Sequence, residues 1–138
     1  MAAEVFLARL RALGRRDVLV VGSLPIDIVR AFVSDVTDNL DVVITGERRQ
    51  HYLDQHPEML SSEHLLPETL LSPDEVHRNR TDLDVGVFYK QIGPDRYLRA
   101  VVRVQARVGR RKHSLMSYRM ARAKELQEGR PRLVWEKK

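Results

Sequence analysis

Tyr97-Leu98-Arg99-Ala100-Val101-Val102-Arg103-Val104-Gln105-Ala106-Arg107-Val108 is the stretch whose pattern decides the fold. Its even positions are all apolar: Leu98, Ala100, Val102, Val104, Ala106 and Val108. Its odd positions are Tyr97, Arg99, Val101, Arg103, Gln105 and Arg107. A period of two held this long predicts a β-strand with one buried and one wet face. Gly109-Arg110-Arg111-Lys112 follows as a tight basic turn, and His113 to Met120 returns as a partner strand.

Upstream the period is helical. Val5, Phe6, Leu7, Leu10 and Leu13 predict a helix over 3–13 that stops at Gly14. Val18 to Val21 is a short β-prone run, and Pro25 opens a second helix through Ile28, Val29 and Phe32. Asp41 to Ile44 is a further strand, after which Thr45 caps a helix over 46–56. That helix ends at His56-Pro57, because a residue before proline avoids the α region. Ser62 to Leu70 predicts one more short helix. Ser72-Pro73-Asp74-Glu75 has the form of a capping box and predicts a single helical turn before His77.

Val85 to Tyr89 predicts a strand, Gly93-Pro94-Asp95 a turn, and the tail after Ala121 a helix up to Gly129-Arg130-Pro131, then Leu133-Val134-Trp135. Helices first and a meander last predict an α+β class, with N-terminal helices packed on a C-terminal antiparallel β-sheet. The 138 residues fit one domain, with an N-terminal helix in 1–17, a core in 18–120 and a tail in 121–138.

Composition narrows the chemistry. The chain has no cysteine, which excludes a disulfide framework, a thiolate metal site and a cysteine nucleophile. No apolar run is long enough to span a bilayer, and residues 1–14 carry charges inside an amphipathic pattern, so the expected compartment is the cytoplasm. The charge is divided: residues 96–138 carry 14 Lys and Arg against three acids, while residues 1–95 carry 10 against 16. Such a basic half favours a polyanionic partner, and charge alone does not choose between RNA, DNA and an anionic membrane.

Two groups of residues carry candidate chemistry. With a rise of about 3.3 Å per residue, Arg99, Arg103 and Arg107 stand about 13 Å apart in one row, a spacing compatible with alternate phosphates of a nucleic-acid strand. Tyr97 shares that face and offers a stacking surface. The same arginines also suit an ordinary wet sheet face or a protected edge strand. On the partner strand His113, Leu115, Ser117 and Arg119 alternate with Ser114, Met116, Tyr118 and Met120, the second set having the composition of a core face. The other group lies on the helix over 46–56, where Arg48, His51, Tyr52 and Gln55 fall on one face. A neutral-range imidazole beside a fixed cation suits metal-free cleavage of a phosphodiester, and equally an ordinary surface. As a metal site the segment is poor, since His51 and His56 are five apart and a third ligand is missing. No cofactor motif is present.

The order of segments resembles the barnase/EndoU/colicin/RelE-like (BECR) nuclease domains of phage and polymorphic toxins. The run from Val42 through Glu58 is similar to their strand followed by Arg-x-x-His and His-Pro-Glu. Leu71-Ser72-Pro73-Asp74-Glu75-Val76 resembles a turn of that family, and Phe88-Tyr89-Lys90 with the 97–108 strand resembles its central sheet. Met116-Ser117-Tyr118 resembles its terminal strand, although it lacks the Thr-Ala-Tyr form, and the helix over 3–13 has no counterpart. The resemblance spans about residues 18–120. It implies a BECR-like fold, metal-independent endoribonuclease activity, and a toxin role with an acidic inhibitor or immunity protein as partner. By position, His51 would be the acid/base, Arg48 its neighbouring cation, and Ser117 a hydroxyl contact to the scissile phosphate. Arg99, Arg103, Arg107, Tyr97, Arg119, Tyr118 and Lys90 would make up the substrate-binding set. The alternative is a non-catalytic nucleic-acid-binding or phage assembly module using the basic sheet face.

Overall fold

The computed structural model describes residues 3–32, 40–104 and 113–138. Gln105, Arg107 and the basic turn at 109–112 lie outside the described residues.

The chain order is α1 (Ala3–Arg11), β1 (Val18–Ser23), α2 (Ile26–Arg30), β2 (Asp41–Thr45) and α3 (Gly46–Gln55). A 3₁₀ stretch (Pro57–Leu65) then leads into α4 (Leu66–Leu71) and the strands β3 (Glu75–Arg78), β4 (Val85–Gly93), β5 (Arg96–Arg103) and β6 (His113–Ala121). The chain closes with α5 (Ala123–Gly129), a 3₁₀ turn (Arg130–Arg132) and β7 (Leu133–Glu136). The seven strands of the described residues join one sheet in the order β1-β2-β6-β5-β4-β3-β7.

The class is α+β, with two corrections to the expected arrangement. First, the sheet is neither wholly antiparallel nor wholly C-terminal. β1 and β2 from the first third belong to it, and β2 runs parallel to β6 through Val42↔His113 and Val43↔Ser114. The apolar run Val42-Val43-Ile44 is buried on both sides, which suits a strand with neighbours on both edges. Second, Glu75–Arg78 is a strand, not a helical turn. β4 pairs along one edge of it and β7 along the other. Asp74 is already tied to the sheet, its N–H donating to the Tyr89 carbonyl at 2.8 Å while its own carbonyl accepts from Lys137 N–H. Two ladders outweigh one local cap.

The sheet divides the core into two unequal layers. On the front, Phe6 and Leu10 of α1, Ile28 and Val29 of α2, and Leu66 and Leu70 of α4 pack on Phe88, Leu98, Ala100 and Val102. These are the even positions of β5, as its alternation requires. On the back, α5 lays Leu126 over Val85, Val87, Tyr89 and Val101. The odd face of β5 is therefore half-covered, with Val101 buried and Tyr97, Arg99 and Arg103 of intermediate exposure.

A bulge interrupts the β5–β6 ladder: Val101 pairs with Ser117 but Val102 pairs with Leu115. The extra residue shifts the parity of β6. Leu115 and His113 consequently join Tyr118 among the buried residues, while Met116 and Ser117 are both partly open. Strict alternation along 113–120 is thus broken near its middle.

Candidate functional site

α3 starts where β2 stops, and the junction is closely built. The Thr45 hydroxyl accepts the Arg48 N–H, the cap expected of a threonine at this position. Gly46 N–H donates to the Asp17 carbonyl and Glu47 N–H to the Arg15 carbonyl, so two more helix-end donors are satisfied by the α1–β1 turn. Position 46 must be glycine, because a Cβ there would lie 1.9 Å from the Gly14 carbonyl oxygen.

The helix is held from beneath by charge. Arg49 makes a bidentate pair with Glu63, at 2.8 Å through Nε and 2.8 Å through its terminal nitrogen, and the Glu63 side chain is 0% exposed. The Tyr52 hydroxyl donates to the same carboxylate. Burial, followed by this hydrogen bond to Glu63, pushes the Tyr52 hydroxyl far above its ordinary range, so it stays protonated. Tyr118 meets Tyr52 edge-on with ring centroids 5.8 Å apart, and its hydroxyl donates to the Ser62 carbonyl.

β2 pairs with only the first two residues of β6, and α3 lies against the rest of that strand. Between them opens a cleft of about 280 Å³. Arg48, His51, Tyr52, Gln55 and His56 line one wall, and Met116, Ser117 and Arg119 the other. Two guanidiniums, two imidazoles and the Ser117 hydroxyl, beside the Tyr52 ring, therefore share one cleft, and no carboxylate lines it among the described residues. Arg48, His51 and Gln55 are exposed, with no side-chain partner among the described residues. His56 Nδ1 lies 3.6 Å from Glu58.

The structure thus brings Arg48, His51, Ser117 and Arg119 together, and sends the remaining candidates elsewhere. Arg119 is already engaged, donating to Glu125 at 2.8 Å and to the Met120 carbonyl at 2.9 Å. Arg99 pairs across the ladder with Arg119 but turns to Glu125, 3.2 Å away, on the back of the sheet. Arg103 bonds Asp82 at 3.0 Å, and Lys90 donates to the Ser72 carbonyl at 2.8 Å. Tyr97 packs against the small back-face cluster. Tyr118 is a correction: at 0% exposure it is core and cannot meet a substrate. Arg107 lies outside the described residues, so the arginine row is seen only at Arg99 and Arg103, both in ion pairs.

His56 joins the cleft although its sequence spacing pointed only to a poor metal site. Its place comes from the proline that ends α3 directly beside β6. The Arg49–Glu63–Tyr52 network had no sequence signal, since Glu63 sits in a 3₁₀ stretch whose packing partner is fixed only by the fold. Among the described residues no three His, Asp or Glu side chains gather closely enough to hold a metal. No helix among them is long and apolar enough to cross a membrane. Compared with protein-family models, with curated proteins and with solved structures, the chain matches none.

Proposed function

We propose that the α3–β6 cleft binds the phosphodiester backbone of RNA and cleaves it by acid–base catalysis, in the manner of a BECR-type endoribonuclease. One observation carries this reading: His51, His56, Arg48 and Ser117 line a single cleft that no carboxylate of the described residues lines. One imidazole takes the proton of a ribose 2′-hydroxyl, and O2′ attacks phosphorus. The bond to the 5′-oxygen breaks, that oxygen takes a proton from the other imidazole, and a 2′,3′-cyclic phosphate remains. Arg48, exposed and without an ion pair among the described residues, stabilises the extra negative charge of the phosphorane, and the Ser117 hydroxyl donates to a phosphate oxygen. The buried Arg49–Glu63 pair fixes the helix that carries Arg48 and His51. An acidic inhibitor protein would be complementary to the same cationic opening.

A second reading keeps the binding and drops the chemistry. It is favoured by the His51 ring, which no side chain orients among the described residues, whereas catalytic bases are commonly held by a third group.

The test is degradation of a mixed RNA pool by the purified chain in EDTA. Catalysis predicts 2′,3′-cyclic ends and a loss of roughly 10²–10⁴-fold in rate for His51→Ala or His56→Ala with RNA binding retained. Intact RNA at high protein concentration, with binding that is weakened by Arg48→Ala, would establish the binding module instead.

A further inference from the structure

The back of the sheet holds a second cationic cavity, of about 260 Å³, which shares Arg119 with the α3–β6 cleft but none of the groups to which the cleavage step is assigned. Arg80, Arg99, Arg119 and Arg132 line it, against the carboxylates of Glu125 and Glu128. A fifth arginine in its wall, Arg78, turns a terminal nitrogen to the carbonyls of Ala31 and Phe32, while its Nε is a buried donor without a hydrogen bond. Tyr89 and His77 lie side by side in the lining, both nearly buried, with ring centroids 4.9 Å apart.

Three donors already converge on one carboxylate here. Arg119 donates to Glu125 Oε1 at 2.8 Å, the Tyr89 hydroxyl donates to Oε2 at 3.3 Å, and Arg99 Nε lies 3.2 Å from Oε2. The last contact is misaligned, so Arg99 Nε is a buried donor without a hydrogen bond. A single planar carboxylate therefore leaves donor capacity unfilled, and burying such a donor is unfavourable. Arg80 and Arg132 add two guanidiniums with no ion pair among the described residues. Arg80 is carried on a built loop, in which Asn79 Oδ1 accepts from Thr81 N–H and Asp82 N–H at 3.0 and 3.1 Å.

We infer that this back-face cavity is an anion site for a phosphate group, and that Glu125 is its resident counter-ion, displaced when phosphate enters. A tetrahedral oxyanion offers more acceptor directions than a carboxylate, and guanidinium forks bind it bidentately. The phosphate belongs either to a nucleic-acid strand or to a free ion; the chemistry of recognition is the same. The site does not depend on the α3–β6 cleft being catalytic.

The experiment is a titration of the full chain with inorganic phosphate at constant ionic strength, followed through amide and arginine Nε resonances. Saturable shifts are expected at Arg80, Arg99, Glu128 and Arg132, and they should persist in Arg48→Ala and His51→Ala chains. The double replacement Arg80→Ala/Arg132→Ala should weaken the affinity roughly ten-fold or more. Glu125→Gln should strengthen it, because a competing charge is gone. A 5′-phosphorylated oligodeoxynucleotide that binds more tightly than inorganic phosphate, with the same arginine dependence, identifies a strand; equal affinity identifies the free ion. Shifts confined to α3 and to Met116 and Ser117 of β6, an unchanged affinity in the double variant, or weaker binding in Glu125→Gln would each overturn the inference. RNA cleavage can be absent while this titration succeeds, so the two readings fail separately.

Discussion

Glu63 and Glu125 are each gripped by arginine and tyrosine on opposite faces of the sheet, and they differ in how much water reaches them. Glu63 has a 0% exposed side chain and takes Arg49 and the Tyr52 hydroxyl with well-aligned hydrogen bonds. Glu125 is 35% exposed, and its contacts with Arg99 and Tyr89 are longer and less well directed. The first cluster is fully satisfied, and losing one member strands charge in the core. The second can be rearranged, because solvent screens what is left behind. Rigid support belongs to the front of the sheet and exchangeable charge to the back.

The sharpest way to break this contrast is to remove each carboxylate. Glu63→Ala leaves the Arg49 charge and the Tyr52 hydroxyl without their partner, and should cost about 3–5 kcal/mol in urea unfolding. Glu125→Ala should cost less than about 1 kcal/mol and lose even that at high salt. Equal losses would show that exposure is not what separates the clusters. Next come the tyrosines. Tyr52→Phe deletes a hydrogen bond to a buried carboxylate and should cost about 1.5–3 kcal/mol, against a few tenths for Tyr89→Phe. If Tyr89→Phe proves the costlier, the back-face contact is tighter than its 3.3 Å separation indicates.

The smallest effect is with pH. Burial lowers the His77 imidazole below its ordinary value of 6.5, against the opposing hydrogen bond to Glu75, and burial lowers His113 likewise against the charge of Asp41. Folding therefore favours the neutral rings. Their contribution is complete above about pH 6.5 and declines as pH falls from there toward the lowered folded values, because the unfolded chain takes up protons first. Thermal unfolding scanned downward from neutrality should show this decline. It should be reduced in a His77→Gln chain.

Local signals located much of the fold in the sequence. The Thr45 cap and the His56-Pro57 stop bounded α3, and the alternation from Tyr97 found β5, because each depends on neighbours along the chain. Ser72 to Glu75 misled for the complementary reason. Its capping-box pattern is local, while the ladders that make Glu75–Arg78 a strand come from β4 and β7. The bulge between Ser117 and Leu115 is likewise a product of pairing, and it reassigned Leu115 and His113 to the buried side. For the candidate site, Arg48 and His51 were legible as one helix face and Ser117 only through a resemblance. Glu125 was not legible at all, although it stands only six residues after Arg119, because the face of the sheet that α5 covers after leaving β6 is fixed only by the fold.

The position of β6 bears on how the chain is made. It lies between β2 and β5, yet it follows both in sequence and emerges from the ribosome late. Until it does, the β1–β2 pair and the β5–β4–β3 group each have an unpaired edge of backbone donors and acceptors. Joining them requires a contact from Val42 to His113, across about 70 residues, a loop closure that slows folding. A nascent chain halted before residue 113 would therefore be two incomplete, sticky pieces. Ribosome pausing in that interval is where a chaperone would be needed most.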